Sequence, residues 1–272
     1  MPPRISDAER RLISAYIEAA NRVDQALRTI GKSPRKALLR AKINPIIQQL
    51  QSLTNEYLAK DLPEQFRRGS QEAVKQLKKH SEFKGDIDES FTQAHKNALQ
   101  QIADDASLSF GRGLQELVKS ADRAFSEARK QQIVTEILTS EVTGETANVK
   151  KILLDQGVTG IRTANRTLSV DHYTAMLTHT ILAEAHNMGA ATRYLQNGLG
   201  FARRIERADA PDYPCQWLRN KIVWLGEPRF VGPVHPNCFG AIQPYFGDTT
   251  EALVSLDDPR IPEKVKTALR RK

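Results

Sequence analysis

Three side chains in the last quarter of the 272-residue chain have the types and spacing of metal ligands. Cys215 lies 20 residues before His235, and Cys238 closes the tetrapeptide His235-Pro236-Asn237-Cys238. Thiolate sulfur and imidazole nitrogen are ligands that favour zinc. A His and a Cys three residues apart in a Pro-containing turn can face one point, and a hairpin can bring Cys215 to it. The pattern predicts a zinc site formed by Cys215, His235 and Cys238.

A structural zinc site has four ligands, and this cluster offers three. Asp209 and Asp212 are the candidates for the fourth ligand. Two alternatives need no metal: a pair of buried free thiols, and a Cys215–Cys238 disulfide in an oxidising environment. The residue types also match those of a catalytic Cys/His dyad. However, no residue that would orient the histidine is evident, and two thiols rather than one flank it.

A second series consists of His172, His179 and His186, which recur at seven-residue steps on a predicted helix with Glu184 close by. This spacing places them roughly on one stripe. Seven residues advance a helix by about 10 Å, too far for neighbouring members to share one ion. The series therefore favours a polar seam between helices or an exposed surface over a metal or acid–base site.

Composition and missing motifs narrow the possible classes of protein. The sequence has no Gly-x-Ser-x-Gly elbow, no Walker loop and no Gly-x-Gly-x-x-Gly fingerprint. No apolar stretch approaches the roughly 20 residues needed to cross a bilayer, and the start of the sequence lacks the apolar core of a secretory signal. These features predict a protein that is made and used in a cytoplasm, with no membrane contact.

Positive charge is concentrated near the N-terminus. The net charge is +8, and residues 1–80 carry 16 Lys/Arg against 8 Asp/Glu, whereas residues 81–200 carry 12 against 15. A basic face fits nucleic acid or an acidic protein partner. A solvated helix surface explains the same charge equally well.

Helical periodicity dominates the first 80 residues. Ser6-Asp7-Ala8-Glu9 reads as a capping box, and Gly31 is expected to end the helix that follows. Ser33-Pro34 begins a second helix, in which Pro45 is expected to introduce a kink. Leu62-Pro63-Glu64 is expected to open a third helical stretch.

Helical patterns continue over residues 86–140, with expected interruptions at Gly111 and Gly113. A short helix is expected over 149–154, and Ser169 caps another helix that ends near Asn197. After Gly198 the pattern changes: 201–207 and 222–225 read as strands, and turn residues separate them. The last residues, 255–272, are charged and fit a short helix or disorder.

The predicted fold class is α+β and predominantly α-helical. An extended N-terminal helical region over residues 1–144 precedes a small helix-plus-β domain over 145–247, and a charged tail follows over 248–272. No alternation of strands and helices typical of a parallel sheet is present.

The smaller domain contains a helix over 177–189, a strand over 201–207, a turn over 209–215 that ends in Cys215, and the closing His235-Pro236-Asn237-Cys238, followed by Pro244. In this order they resemble the Mu F-like head morphogenesis proteins of tailed phages, also called minor head or minor capsid proteins. The segment 153–163 resembles the small helix and turn that precede the family's domain. The resemblance covers residues 145–247.

The resemblance implies a low-copy structural protein, not an enzyme, located inside the phage head in the virion and assembled in the host cytoplasm. Its implied partners are the portal protein and the major capsid and scaffold proteins, met during procapsid assembly. The basic N-terminal region is compatible with an acidic portal surface or with packaged DNA.

This chain departs from the family pattern at both cysteine turns. Many relatives have Cys-x-x-Cys at the first turn, where Leu218 stands here, and many continue with Arg-Cys after the closing turn, where Phe239-Gly240 follows here. Both departures weaken the zinc prediction. The family fold without metal would then rely on aromatic packing by Trp217, Trp224, Phe230 and Phe239.

Two other functions fit the same residues. One is a capsid maturation protease or another Cys/His hydrolase that uses Cys215 or Cys238 with His235. The other is a non-specific DNA-binding protein packaged with the genome, which would bind through residues 1–80.

Overall fold

The computed structural model describes residues 7–30, 36–142, 160–162, 167–207, 213–236, 238 and 240–270. Within these residues the chain forms, in order, α1 (Asp7–Ile30), α2 (Lys36–Lys79), α3 (Gln93–Val142), β1 (Gly160–Arg162), β2 (Thr167–Ser169), α4 (Val170–Gln196), β3 (Phe201–Ile205), α5 (Tyr213–Leu218), β4 (Ile222–Trp224), α6 (Pro228–Val231), β5 (Ala241–Pro244) and α7 (Glu263–Arg270). The fold is α+β and predominantly helical, which confirms the predicted class.

Two compact units make up the described chain. The first contains Asp7–Glu56 and Leu108–Ala175, and the second contains Tyr57–Ser107 and the residues from Met176 onward. Helices α2, α3 and α4 each contribute residues to both units. Residues 143–159, where a domain boundary and a short helix were expected, lie outside the described part of the chain.

The first unit is built on amphipathic helices. Its buried apolar side chains recur at three- and four-residue steps, as a helix with one solvated face requires, and include Leu12, Tyr16, Val23, Leu27, Leu39, Ile43, Ile46 and Leu50. The Tyr16 hydroxyl lies 3.3 Å from the Thr54 hydroxyl, and its ring centroid lies 6.1 Å from that of Phe110. Helix α1 ends at Ile30, as the following glycine predicted.

Two expected interruptions were wrong. Helix α2 continues through Leu62-Pro63-Glu64, so no new helix opens there. Proline costs this helix one hydrogen bond, but Leu62 and Phe66 are fully buried on its apolar face, and this packing favours continuation. Helix α3 likewise runs through Gly111 and Gly113; the Tyr173 ring lies against Gly113, where a side chain would collide with it.

A further correction concerns the start of α3. The helix begins at Gln93, not near residue 86. Residues 81–92 are held by side chains of α4 instead: Arg193 donates to the carbonyls of Asp88 and Ser90 at 2.6 and 2.9 Å. These bonds satisfy backbone groups that a helix would otherwise pair.

The second unit contains a three-stranded antiparallel sheet of order β4-β3-β5. The middle strand β3 pairs Ala202 with Val223 of β4 and with Pro244 of β5. Both strands predicted after Gly198 are therefore confirmed, with the first ending at Ile205 rather than Arg207. A separate hairpin, β1–β2, was not predicted: Gly160–Arg162 was expected to belong to a helix and turn.

The C-terminal residues are part of the core of the second unit. Helix α7 confirms the helical alternative for the end of the chain. Its residues join a cluster of fully or nearly fully buried apolar side chains that includes Leu218, Val223, Phe230, Val234, Leu253, Leu256, Ile261, Val265 and Leu269. Cys215 and Cys238 belong to the same cluster, so the tail packs beneath the predicted site. No helix in the described part of the chain has the length and apolarity of a membrane span.

Candidate metal centre

The three predicted ligands come together in the second unit. The Cys215 sulfur lies 2.9 Å from Nε2 of His235 and 3.6 Å from the sulfur of Cys238. One ligand atom from each residue can be chosen so that all three lie within 4.8 Å of one another. Among the residues that the structure describes, this is the group of His, Cys, Asp or Glu side chains that could hold a metal ion.

Short elements position the three side chains. Cys215 lies in the first turn of α5, where it is 3% exposed, and Cys238 is 1% exposed. The closing turn is tied by a 3.1 Å hydrogen bond from the Cys238 amide to the His235 carbonyl, which brings the two side chains to the same side. His235 is half-buried and the following Pro236 is exposed, so the cluster reaches the surface through its histidine.

The tautomer of His235 follows from its neighbours. Its Nδ1 lies 2.7 Å from the carbonyl oxygen of Pro236, and a carbonyl can only accept, so Nδ1 carries the proton. Nε2 is therefore the unprotonated nitrogen, and its lone pair is directed at Cys215. An imidazole whose second nitrogen is held by a backbone carbonyl is the usual arrangement of a metal-binding histidine.

A buried ion pair lies beside Cys238. Arg204 has no exposed surface, and its Nε donates to Glu206 at 2.6 Å. One of its terminal nitrogens lies 3.6 Å from the Cys238 sulfur, and the Gly240 amide donates to the same sulfur at 3.4 Å. The other terminal nitrogen donates to three carbonyls, those of Phe230, Val231 and Gly232, at 2.7 to 3.0 Å.

The buried side-chain amide of Asn187 joins helix α4 to the residues on either side of the closing turn. Nδ2 of Asn187 donates to the carbonyl of Val231 at 3.1 Å and to that of Gly240 at 2.8 Å. Arg204 and Asn187 thus donate hydrogen bonds to backbone carbonyls that lie before and after the closing turn. These side chains satisfy buried acceptors in a part of the chain that has little regular secondary structure. The long helix, the sheet and the turn are held in one arrangement around the cluster.

The two thiols are electrostatically unequal. Hydrogen bonding from Cys215, assisted by Arg204 and the Gly240 amide, lowers the pKa of Cys238. The same contact with Cys238, together with burial, raises the pKa of Cys215. Burial also raises the pKa of Glu206, and the attraction of Arg204 opposes it. The site therefore favours one thiolate at Cys238 and one thiol at Cys215, whose proton has two acceptors, the Cys238 sulfur and Nε2 of His235.

The other predicted candidates are distributed differently. His172 is exposed, whereas His179 and His186 are half-buried, and none of the three belongs to the metal-binding group. Asp209 and Asp212, the candidates for a fourth ligand, lie outside the described residues. Of the four aromatic residues, Phe230 is buried in the core and Trp217 packs against it, Trp224 is partly exposed, and Phe239 is outside the described residues.

Sequence reasoning missed the polar residues that surround the cluster, namely Arg204, Glu206 and Asn187. One signal was present for Arg204. In a strand that alternates between two faces, Arg204 falls on the same face as Ala202, and that face is buried. The two-residue alternation of a strand therefore indicates that Arg204 lies in the core. A buried arginine needs hydrogen-bond acceptors, which are Glu206 and three backbone carbonyls in this structure.

Comparison of the chain with models of known protein families, with curated protein sequences and with solved structures gave no match. The resemblance to Mu F-like head proteins consequently stays a prediction from the residues that carry it.

Proposed function

We propose that the chain is a minor structural protein of a tailed-phage head, which docks on the portal during procapsid assembly. The observation that carries the proposal is the contact between Cys215 and the closing turn. The turn His235-Pro236-Asn237-Cys238 is the most specific piece of the resemblance, and its described residues fold back onto Cys215 inside a packed core. Residues that define the family pattern thus meet at one structural point.

Burial of the cluster supports a structural rather than a catalytic role. Both sulfurs belong to residues that are at most 3% exposed. A nucleophile must meet its substrate, and both cysteines belong to a buried apolar cluster that includes Leu218, Phe230 and Val265. The pKa of Cys215, the thiol nearest to the histidine, is raised, whereas an activated cysteine has a lowered pKa. The pKa of Cys238 is lowered, but its sulfur is held by Arg204, the Gly240 amide and Cys215 inside the core.

A Cys/His hydrolase is the second candidate, because one distance favours it. The 2.9 Å between the Cys215 sulfur and Nε2 of His235 is within the reach of a nucleophile–base pair. Against this, the third group that should orient the histidine is the neighbouring Pro236 carbonyl, not a carboxylate or amide side chain. Cys238 also occupies the space beside the nucleophile at 3.6 Å.

Basic side chains on α1 and α2 support a charged partner. Arginines and lysines of these two helices are exposed at Arg10, Arg11, Arg22, Arg40, Lys42, Lys60, Arg67, Arg68, Lys75, Lys78 and Lys79. Such side chains suit an acidic portal surface, and DNA is the alternative partner.

The test is quantification of the chain in virions of the phage that encodes it, and in heads assembled with and without portal protein. The expected result is a low copy number in virions and loss from portal-deficient heads. Absence from virions would overturn the proposal. Retention in portal-deficient heads that contain DNA, together with salt-sensitive retention on DNA of unrelated sequence, would favour the DNA-binding alternative.

The hydrolase candidate is separated by Cys215→Ser and Cys238→Ser variants expressed in the same infection. If heads assemble and capsid-protein processing is unchanged in both, neither thiol is a nucleophile. Loss of cleavage with intact assembly would replace the structural proposal by the hydrolase. The exposed His172→Gln variant is the matched control for non-specific effects of substitution.

A further inference from the structure

We propose that Cys215, His235 and Cys238 bind one zinc ion, and that Arg204 tunes its affinity through the Cys238 sulfur. The inference is independent of the proposed role in head assembly, since a zinc ion that stabilises this module would do so in any partner context. It rests on the geometry of the three ligands, the orientation of the imidazole and the donors that surround one sulfur.

The two sulfurs are already at the separation that zinc requires. With zinc–sulfur bonds of about 2.3 Å and tetrahedral angles, two thiolates on one ion lie about 3.8 Å apart. The Cys215 and Cys238 sulfurs lie 3.6 Å apart. Both residues are almost fully buried in the core, so this separation is fixed by packing rather than by a chance surface approach.

The imidazole needs a small displacement. On one ion, a sulfur and a histidine nitrogen lie about 3.5 Å apart. Nε2 of His235 now lies 2.9 Å from the Cys215 sulfur, where the thiol proton can bridge the two atoms. The three ligand atoms lie within 4.8 Å of one another, and His235 is half-buried beside the exposed Pro236, so its ring has space to move away from Cys215. Zinc would replace the bridging proton, which leaves as the second thiolate forms.

Nε2 already has the electronic form of a ligand. The Pro236 carbonyl accepts the proton on Nδ1 at 2.7 Å, which leaves the Nε2 lone pair available and fixes the plane of the ring. No tautomer change is needed for zinc to bind.

Charge balance also favours zinc. Two thiolates and one neutral imidazole cancel the two positive charges of the ion, and the adjacent Arg204 and Glu206 cancel each other at 2.6 Å. Zinc adds two positive charges and displaces the Cys215 proton, so the cluster changes from one net negative charge to none, and no unpaired buried charge remains. A fourth ligand is needed, and water supplies it where a protein gives three.

Arg204 and Gly240 form the outer layer of the site. Their N–H groups lie 3.6 and 3.4 Å from the Cys238 sulfur and stabilise a thiolate there. Partners of this kind change metal affinity by about 10- to 100-fold when they are removed. Arg204 is therefore a positioning residue for the ion, and it does not contact the ion itself.

The first experiment uses the full chain, purified under reducing conditions without chelator. We expect about one zinc per chain by mass-spectrometric metal analysis, and a lower melting temperature after chelation that added zinc restores. Substitution by Co²⁺ should give the absorption bands of a tetrahedral thiolate complex. Wild-type chain that retains no zinc and gives no thiolate–cobalt band on reconstitution would overturn the proposal.

Variants identify the ligands. Cys215→Ser, His235→Asn and Cys238→Ser should each lose the thiolate–cobalt signature or reduce zinc binding by at least tenfold, while the exposed His172→Gln binds as the wild type. Arg204→Lys keeps the charge and should bind one zinc about tenfold or more weakly. Equal zinc affinity in wild type and all three ligand variants, or a Cys215–Cys238 disulfide in protein kept reduced, would refute the site.

Discussion

Gly69 of α2 lies directly against the backbone carbonyl of His186 in α4, with no space for a side-chain atom between them. The contact has a counterpart at Gly189, where an added Cβ would collide with the carbonyl of Phe66. The two helices therefore approach backbone to backbone within the second unit, and a glycine on each makes the approach possible.

This close approach predicts that Gly69→Ala and Gly189→Ala are each destabilising, by about 1–3 kcal/mol or more, since an overpacked site must displace backbone. Gly111→Ala is the matched control. Gly111 is also in the interior of a helix, but an added Cβ there meets nothing within 4 Å, so alanine should be neutral or stabilising by up to about 1 kcal/mol. Urea unfolding measures the differences. Equal stability of all three variants would contradict the packing described here.

The buried ion pair of Arg204 and Glu206 gives the second prediction. Arg204→Met removes the donor to Glu206 and to three carbonyls, and should cost about 3–5 kcal/mol of unfolding free energy. Arg203→Met changes the preceding residue of the same strand, which is exposed and whose guanidinium carbon lies 5.2 Å from the centroid of the Tyr245 ring. It should cost at most about 1 kcal/mol.

A double variant tests the cause of that loss. Arg204→Met with Glu206→Gln should be less destabilised than the sum of the single variants, because neither substitution then leaves an unpaired buried charge. Strict additivity would indicate that the lost carbonyl contacts, and not the ion pair, dominate. Chelated protein should be used throughout, so that metal binding does not contribute to the difference.

Acid sensitivity is the third prediction, and it centres on His95. This side chain is fully buried between the rings of Phe66 and Phe91, and burial lowers its pKa to about 4. Arg193 acts in the same direction and Asp88 opposes it. The unfolded chain binds the proton near pH 6.5, so protonation favours unfolding between these two values.

Stability should therefore be full above about pH 6.5 and fall as the pH approaches 4, by up to about 3 kcal/mol from this residue. His95→Gln keeps a partner for the Thr92 hydroxyl, 2.9 Å from Nδ1, and removes the titration. The pH slope of the unfolding free energy should decrease in this variant but persist in part, because burial also lowers the pKa of His186. An identical slope in wild type and variant would argue against this assignment.

The fourth prediction concerns the segment before α3. Arg193 donates to the carbonyls of Asp88 and Ser90 and to the hydroxyl of Ser70 at 2.9 Å. Asn197 accepts from the Asp88 amide at 2.7 Å. Arg193→Met should release this segment, and amide hydrogen exchange over 86–92 should become at least tenfold faster.

The matched control for Arg193 is Arg67→Met, which replaces an exposed arginine of α2. Exchange over 86–92 should be unchanged in this control. If Arg193→Met also left the exchange unchanged, the segment would be held by contacts other than these hydrogen bonds.

Local chemistry made several elements predictable. A glycine at position 31 and an Asn-Gly pair at 197–198 stopped helices where expected, and period two identified β3. The closing turn with its His and Cys could be recognised because the three-residue spacing itself brings the two side chains together. The predominantly helical class followed from periodicity over long stretches.

Helix interruptions were predicted wrongly because intrinsic preference is weak compared with burial. Pro63, Gly111 and Gly113 each disfavour a helix locally, yet apolar faces that pack elsewhere in the chain keep α2 and α3 continuous. Long-range contacts also explain why α3 starts at Gln93. The segment before it is hydrogen-bonded by side chains at the end of α4, which lies far away in sequence.

The sequence by itself determined which residues could act as ligands, since residue type and short-range spacing set that chemistry. Only the tertiary structure decided that Cys215 meets His235, that Arg204 enters the core beside Cys238, and that the charged tail covers the site with apolar side chains. These relationships join segments 20 or more residues apart, and such contacts depend on how whole elements pack together. Burial of the tail and of one strand face, rather than any local motif, fixes the cluster.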